Sequence, residues 1–491
     1  MSSTSTSPSS DLAYQNLIGI PEKGHLKMVS VKVISKEIVK PSSPTPNHLY
    51  HYQFSFLDQI TPPIYTSLVL FYEFNDNIQP EPAAAVISII SKHLKKSLSE
   101  VLTLFYPLAG RVKIDNHLVQ CNDEGIPYLE AQVTNCRLRD FQQNSMPGEL
   151  CKLIPFELRD HENSEFALGV QLNIFECGGY AIGLCISHKL ADGLSMIMFT
   201  KTWAAINRGE NETKIECPEF VSAAVFPPAD DVSGYRMFGV IPKNKVTKRF
   251  VFNARTIEHL REKYTGLAED DREKRPSRVE ALSAFLWRRF VEASKDDHSI
   301  DENIFHAAVH TVNLRPRTDP PIPRCSFGNF YQIFLTTPFV SSSSSSSGID
   351  DQESCHDMVK QVREELSKID KDHVKRLQKG GHGSYINRFI QGLAKPGKPV
   401  TLSYSSLCSF PLYDIDFGWG RPTWVAVPPL PFKNLIVLAD TEEAGGIEAY
   451  VSLADDDAMT KFESHAFIQR RVGMNQDGSV GSNITGHRPK L

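Results

Sequence analysis

His188 is the residue whose type and setting offer the clearest chemistry. It follows the apolar run AIGLCIS and stands four residues before Asp192. A neutral imidazole with a pKa of about 6.5 can accept a proton at neutral pH, and a rigid strand end can present it to a cleft. Among the 16 histidines only this one is followed by Asp at that spacing. Asp192 could also be the N-cap of the next helix, so the pair alone leaves a catalytic role open.

A second motif, DFGWG, occupies residues 416–420 and is closely preceded by Tyr413. Two glycines around a tryptophan predict a tight backbone bend that supports a large ring. DFG also occurs in protein kinases, but neither a glycine-rich loop nor an HRD segment precedes it here. The sequence also lacks the patterns GxxxxGKS/T, GxGxxG and GxSxG. These observations argue against a nucleotide-dependent enzyme and against a serine hydrolase.

Composition narrows the class of protein further. The 491 residues carry a net charge of −5 and are 41% hydrophobic and 23% charged, as expected for a globular protein that does not bind nucleic acid. The nine cysteines form no CxxC pair, which predicts free thiols and no metal site. No apolar stretch reaches roughly 18 residues, so no membrane span is predicted. We expect a cytoplasmic protein, with the terminal Pro489-Lys490-Leu491 as a weak match to a peroxisomal signal.

Hydrophobic periodicity predicts the elements that position these motifs. Alternating runs predict a strand from residue 29 and a hairpin over 167–187 that turns at Gly178-Gly179. Helical spacing predicts helices over 83–105, 277–293, 354–368 and about 456–470. The pattern divides the chain into a disordered extension (1–27), a first domain (28–216), a linker (217–246), a second domain (247–472) and a disordered tail (473–491). Both domains mix strands and helices without a strict βαβ rhythm, which predicts an α/β protein with mixed, largely antiparallel sheets.

The two motifs together resemble the signature of the plant BAHD acyl-CoA-dependent acyltransferases, HxxxD near the middle of the chain and DFGWG near its end. The resemblance extends over nearly all of residues 28–472 and includes Leu57-Asp58, YPLAGR (106–111), SRVEALSAFLWR (277–288), VNLRPR (312–317) and FGN (327–329). PSSPTP (41–46) and FECGG (175–179) are most similar to the subgroup of vinorine synthase-like alkaloid and terpenoid O-acetyltransferases.

This resemblance implies a fold and a set of roles. It implies two chloramphenicol-acetyltransferase-like domains joined by a long crossover, with a solvent channel between them. It implies that His188 is the general base and that Asp192 turns away from substrate to pair with an arginine, for which Arg315 is the candidate. Gly193, Phe417, Gly418, Trp419 and Gly420 would support the site. Asp416 would act either as a catalytic acid/base or as a structural support. Ser277 and Ser283 are candidates for binding CoA, although solvent-facing serines are the alternative.

One segment departs from the family pattern. Family members often have a Ser/Thr-Ser-Trp-x-Arg segment before YDxDFGWG, whose hydroxyl and indole help to stabilise an oxyanion. Here Ser405 and Ser406 keep the hydroxyl, whereas Leu407 and Ser409 replace the tryptophan and arginine. Losing one oxyanion donor typically costs about 10²–10³ in rate. Another donor could substitute, the acceptor pocket could be reshaped, or activity could be impaired.

The resemblance predicts an acyl-CoA:alcohol O-acyltransferase, with acetyl-CoA as the expected co-substrate and an alkaloid or terpenoid alcohol as the acceptor. No permanently bound cofactor and no metal are expected, and the family implies a monomer without nucleic-acid or membrane partners. An N-acyltransferase acting on an amine is one alternative. A non-catalytic BAHD-like binding protein, with an oxyanion site lost at Leu407 and Ser409, is another, and an ester hydrolase is a weaker one.

Overall fold

The chain is described here from a computed structural model. The described residues are 29–73, 83–157, 165–211, 213, 215–232, 245–265, 275–294, 304–337, 352–381, 383 and 397–464. The extension predicted over 1–27 and the tail predicted over 473–491 lie outside these ranges. Among the described residues, none of the helices has the length and hydropathy required to cross a bilayer.

The strands and helices follow one another in a mixed order, as the periodicity predicts. The strands are β1 (Ser30–Val39), β2 (His51–Gln53), β3 (Tyr65–Tyr72), β4 (Arg111–Lys113), β5 (Leu118–Gln120), β6 (Ile126–Thr134), β7 (Leu168–Phe175), β8 (Tyr180–Ser187), β9 (Val246–Phe252), β10 (Ile304–Asn313), β11 (Tyr331–Thr336), β12 (Lys398–Ser406), β13 (Trp424–Ala426), β14 (Leu435–Asp440) and β15 (Ile447–Leu453). The α-helices are α1 (Phe56–Ile60), α2 (Ala83–Leu104), α3 (Leu138–Asn144), α4 (Gly193–Asn207), α5 (Ser222–Val225), α6 (Ala254–Lys263), α7 (Arg278–Ala293), α8 (Gln352–Ser367), α9 (Lys371–Gln378) and α10 (Asp456–Glu463).

The first large sheet holds the segment that precedes His188. Its six strands lie in the order β1-β6-β7-β8-β3-β13, with β6 and β7 parallel and the other pairs antiparallel. The predicted hairpin is confirmed, because Leu168 pairs with Ile186 and Ile174 with Tyr180. Since β8 lies between β7 and β3, hydrogen bonds on both edges hold the strand that carries His188 at its end.

The second large sheet has the order β11-β10-β12-β14-β15-β9, with β10, β12 and β14 parallel. A small third sheet has the order β2-β5-β4. The two large sheets are not drawn from separate halves of the chain, because β13 pairs with β3 in the first sheet through Trp424 and Phe71. The domain boundaries proposed from the sequence remain a prediction. Of the predicted linker, residues 217–232 and 245–246 are described and include α5.

Three hydrophobic clusters position the site. The largest lies on the first sheet and under α2 and α4, where Phe199 and Trp203 are completely buried. The second lies between the second sheet and α7, where the predicted amphipathic face includes Phe285 and Trp287. The third joins α1 to the segment before β11 through Phe56, Leu57 and Phe330. Lys189, two residues after β8, donates to the carbonyl of Gln59 on α1, so α1 also lies close to the end of β8.

Candidate active site

His188 lies directly after β8, with its backbone held on both sides. Its N–H donates to the carbonyl of Ile64 at 2.8 Å, and its own carbonyl accepts a hydrogen bond from Asn329 Nδ2 at 2.7 Å. These bonds come from residues distant in sequence, one before β3 and one before β11. The backbone of His188 is therefore fixed by tertiary structure as well as by its own strand.

The imidazole ring is oriented by two contacts. Nδ1 lies 3.1 Å from the carbonyl oxygen of Ala191, and the ring stacks on Tyr331 with centroids 5.6 Å apart. Because a carbonyl only accepts, Nδ1 carries the proton and Nε2 carries the lone pair. Burial lowers the pKa of His188 from its usual 6.5, against the opposing effect of the bond to Ala191 and the charge of Asp192. His188 is therefore neutral and basic at pH 7.

The ring lines a cavity of about 180 Å³ to which both large sheets contribute. Its polar lining residues are Thr66, Ser67, His188, Asp192, Thr311, Asn313, Arg315, Ser405 and Ser406. Its remaining lining residues are Gly193, Leu194, Met196, Val312, Phe330, Tyr331, Leu407, Phe410, Val427, Leu430 and Val437. A mostly apolar cavity with a few convergent polar groups suits a small organic ligand.

Asp192 performs both roles considered from the sequence. Its Oδ1 accepts from the Ser195 N–H at 2.9 Å, which makes it the N-cap of α4. Its carboxylate also pairs with Arg315, at 2.7 Å for Oδ2 and 3.1 Å for Oδ1. Burial alone would raise the pKa of Asp192, but the Arg315 charge and the donated hydrogen bonds outweigh it and the pKa lies below its usual value. Asp192 is therefore ionised and turned toward Arg315.

Arg315 connects α4 to the loop before β11. Only 1% exposed, it donates to Ser195 Oγ at 2.9 Å and to the Ser326 carbonyl at 3.0 Å, and its guanidinium lies 4.6 Å from the centre of the Phe330 ring. Such a bidentate, fully satisfied pair fixes geometry. The pair therefore fixes the bend after His188.

Two buried residues with no role predicted from the sequence lie beside this bend. Asp58, on α1, and Asn329, before β11, are both completely buried and are hydrogen-bonded to each other. Burial raises the pKa of Asp58 to about 6, although hydrogen bonds from Ser55 and Asn329 oppose the shift. Both residues belong to motifs that carry the family resemblance, Leu57-Asp58 and FGN. That membership was the only signal in the sequence that could have identified them.

The DFGWG segment forms a turn held mainly by the Asp416 carboxylate, which binds backbone N–H groups of the same segment. Asp416 Oδ1 accepts from the N–H groups of Gly418 at 2.7 Å and Gly420 at 3.0 Å. Both glycines have positive φ, +104° and +109°, which explains why glycine stands at these positions. Asp416 is not among the described residues that line the cavity with His188.

The aromatic residues of this turn anchor it to the first sheet and to α4. The Phe417 ring meets Trp203 edge-on at 4.8 Å, and Trp419 contacts Tyr180 edge-on at 6.3 Å. The carbonyl of Phe417 accepts from Asn207 Nδ2 at 2.6 Å. The turn is therefore fixed against the C-terminal part of α4, whereas His188 lies beyond the N-terminal end of that helix.

The departing segment lies at the cavity wall. Ser405 and Ser406 line the cavity, and Ser406 Oγ accepts from the Cys408 N–H at 3.2 Å. Leu407 also lines it and packs against α4 so closely that a Cβ on Gly193 would lie 2.7 Å from Leu407 Cδ2. The residue that replaces tryptophan is thus an apolar part of the cavity wall next to the His188 bend.

The two candidate CoA-binding serines are not brought to this cavity. Ser277 is the exposed N-cap of α7, where its hydroxyl accepts from the Glu280 N–H at 3.2 Å. Ser283 is buried, and its carbonyl accepts from the hydroxyl of Tyr404 at 3.0 Å. In the described part of the chain, no three His, Cys, Asp or Glu side chains are grouped to hold a metal ion.

Comparison with curated proteins identifies close relatives. The chain is 35% identical over 436 residues to stemmadenine O-acetyltransferase of Catharanthus roseus, a span that covers 87% of this chain and 95% of the relative. It is 34% identical over 444 residues to a limonoid 21-O-acetyltransferase of Melia azedarach, covering 90% and 97% of the two chains. Both relatives are therefore matched over nearly their whole length.

Comparison with solved structures identifies a similar enzyme. The crystal structure of vinorine synthase superposes with a TM-score of 0.74 at 32% identity, covering 90% of this chain and 98% of that one. This match confirms the predicted mixed α/β class and the two-domain fold. Residues 29–468 match the model of the Transferase family. The chain therefore belongs to that family, the BAHD acyltransferases that its motifs resemble, and is an acyltransferase.

Proposed function

We propose that the protein is an acyl-CoA-dependent O-acyltransferase that moves an acetyl group from acetyl-CoA to the hydroxyl of a small alkaloid or terpenoid. The relatives support the acetyl group and the acceptor class, because their names specify O-acetylation of stemmadenine and of a limonoid. The mostly apolar cavity suits a compact acceptor of this kind.

The observation that carries the proposal is the state of His188. The Ala191 carbonyl holds the proton on Nδ1, and burial keeps the ring neutral, so Nε2 carries a lone pair in a residue that lines the cavity. A base of this kind is suited to an alcohol, which is a poor nucleophile until its proton is removed. A stacked, hydrogen-bonded ring also holds the geometry that such a transfer requires.

The reaction then proceeds without an acyl-enzyme. Nε2 takes the hydroxyl proton as the alcohol oxygen bonds to the thioester carbonyl carbon, whose oxygen becomes an oxyanion. The carbon–sulfur bond breaks and the imidazolium returns the proton to the CoA thiolate, which leaves an ester and CoA. We assign the oxyanion contact to Ser405 or Ser406, which line the cavity and stand where the family pattern has its oxyanion-stabilising hydroxyl.

The remaining motif residues support this site. Asp192 and Arg315 fix the bend after His188, and Gly193 admits the close packing of Leu407. Asp416, with Phe417, Gly418, Trp419 and Gly420, forms the turn that packs against α4. Acyl-CoA is the co-substrate in this proposal, and Ser277, exposed at the start of α7, is the better placed of the two serines to meet it.

The test is product formation by the wild type and its loss in His188→Ala. The protein is incubated with acetyl-CoA and a panel of stemmadenine, limonoid alcohols and matched primary amines, and products are identified by mass spectrometry. Removing a general base typically costs about 10²–10⁴ in rate, so His188→Ala should lose at least 10² in kcat while binding acetyl-CoA normally. His51→Ala, at an exposed histidine on β2, is the control.

Each other outcome contradicts a defined part of the proposal. Acylation of the amines alone would show an N-acyltransferase. No CoA release with any acceptor would favour a binding protein, in which Leu407 and Ser409 mark a lost oxyanion site. Retention of most activity in His188→Ala would remove His188 as the base.

A further inference from the structure

We propose that Asp58 is a positioning residue for His188, acting through Asn329. The inference rests on the proposed role of His188 as general base and extends it to residues outside the two signature motifs. Asp58 holds the side chain of Asn329, and Asn329 holds the carbonyl of His188. Its loss would move the base relative to the substrates without removing it.

The carboxylate of Asp58 is held in place by hydrogen bonds at the start of its own helix, independently of Asn329. It is the third residue of α1, and its Oδ2 accepts from the N–H and the hydroxyl of Ser55, at 2.9 and 2.6 Å. Ser55 Oγ in turn accepts from the Asp58 N–H at 3.1 Å, completing a capping box. Because the carboxylate is fully buried and bonded to its own helix, its position is set by α1.

The other carboxylate oxygen binds Asn329 twice. Oδ1 accepts from the Asn329 N–H at 3.1 Å and from its Nδ2 at 2.8 Å. The same Nδ2 donates to the His188 carbonyl at 2.7 Å. Since both partners of this atom only accept, the amide nitrogen and not the oxygen must lie on this side. Asn329 therefore transmits the position of α1 to the backbone of the catalytic residue.

Three further contacts connect α1 to the surroundings of His188. Lys189, the residue after His188, donates to the carbonyls of Gln59 at 2.8 Å and Asp58 at 3.3 Å. The hydroxyl of Thr61, at the end of α1, lies 3.3 Å from the hydroxyl of Tyr331, whose ring stacks on His188. Helix α1 is thus connected to the backbone of His188, to Lys189 and to Tyr331, the ring that stacks on His188.

The functional consequence follows from the geometry of proton transfer. A misplacement of about 1 Å at a catalytic group can cost about 10²-fold in rate. The bond from Asn329 acts on the backbone of His188 and not on its ring, so loss of this bond changes alignment and leaves the base present. We therefore expect a fall in kcat with little change in the KM for acetyl-CoA.

The experiment compares Asp58→Asn, Asn329→Ala and the double variant, assayed with acetyl-CoA and the alcohol of the panel above that the wild type converts fastest. Each single variant should lose about 10- to 100-fold in kcat, with KM for acetyl-CoA within about twofold. The double variant should lose no more than the worse single one, because both changes break the same chain of contacts. Asn329→Ala leaves the capping box intact and serves where Asp58→Asn fails to fold.

Glu448→Gln is the matched control for loss of a buried carboxylate. Glu448 is 6% exposed and accepts from Trp424 Nε1 at 3.1 Å and from the Tyr450 hydroxyl at 2.6 Å, and it is not among the described residues that line the cavity. It should lose stability without the selective fall in kcat. An equal kcat loss in this control, or single effects that multiply in the double variant, would overturn the inference.

A second measurement needs no acceptor and separates this inference from the proposed function. Diethyl pyrocarbonate modifies the free nitrogen of a neutral histidine, and peptide mass spectrometry gives the rate at His188 relative to exposed His51. Asp58→Asn and Asn329→Ala should raise the relative rate at His188, because a His188 whose backbone is less firmly held exposes its ring more often, and Glu448→Gln should not. An unchanged rate would refute the positioning role, even if the wild type acetylated none of the alcohols tested.

Discussion

Each of the two signature motifs contains an aspartate, and the two carboxylates differ in how far along the chain their hydrogen-bond partners lie. Asp192 is buried, and its partner Arg315 lies 123 residues further along the chain. Asp416 binds the amides of Gly418 and Gly420, two and four residues away. The first aspartate joins distant segments around the cavity, whereas the second shapes one turn.

This difference shows that motif membership does not define a physical role. Both segments contact α4, but the HxxxD segment caps its N-terminus and the DFGWG turn packs against its C-terminal part. Removal of Asp192 or its partner therefore disturbs the cavity directly. Removal of the Asp416 carboxylate should disturb only the turn, provided that it carries no proton in the reaction.

The largest effect on stability is expected at Arg315. Arg315→Ala leaves the carboxylate of Asp192 buried without its partner, and breaking a buried ion pair in this way typically costs about 3–5 kcal/mol. Urea denaturation followed by tryptophan fluorescence measures the loss. The control is Arg421→Ala, because Arg421 is 72% exposed and lies 3.7 Å from Asp414, and such surface pairs contribute little. Equal losses in the two variants would remove the contrast between the motifs.

A smaller effect is expected at Asp416, where the change to asparagine separates structure from chemistry. Asp416→Asn keeps an oxygen that can accept from Gly418 and Gly420, so it should cost about 1 kcal/mol or less and leave kcat within about tenfold. A carboxylate that transferred a proton would instead lose about 10²–10⁴ in rate. Steady-state kinetics and denaturation of Asp416→Asn and Asp416→Ala distinguish the two roles.

Features set by neighbouring residues were predictable from the sequence. The hairpin of β7 and β8 follows from alternation, and α7 follows from helical spacing. The N-cap role of Asp192 also follows from sequence position. In each case the physical cause lies within a few residues of the effect, and periodicity and capping rules therefore describe it.

Features set by distant residues were not predictable from periodicity. β13 is only three residues long, and its place beside β3 depends on a partner more than 350 residues away, as the Thr423 to Phe71 contact shows. Asp58 and Asn329 meet across 271 residues. The Asp192–Arg315 pair was expected only because the family resemblance implied it. Tertiary packing brings these groups together, and no local pattern records it.

The smallest expected effect is a shift in the pH profile of kcat/KM. It tests which of the two aspartates affects the pKa of His188. Since the proposed base acts when unprotonated and burial lowers the pKa of His188, kcat/KM should rise with pH through an apparent pKa below 6.5 and then level off. The Asp192 charge raises the pKa of His188, and the charge of Lys189 lowers it. Asp192→Asn removes the negative charge and leaves the positive charge of Arg315 uncompensated. Both effects should lower the pKa of His188, so the rise in kcat/KM should move to lower pH. Asp416→Asn, whose carboxylate binds its own turn, should leave the profile unmoved, and a shift there instead would reverse the assignment of the two motifs.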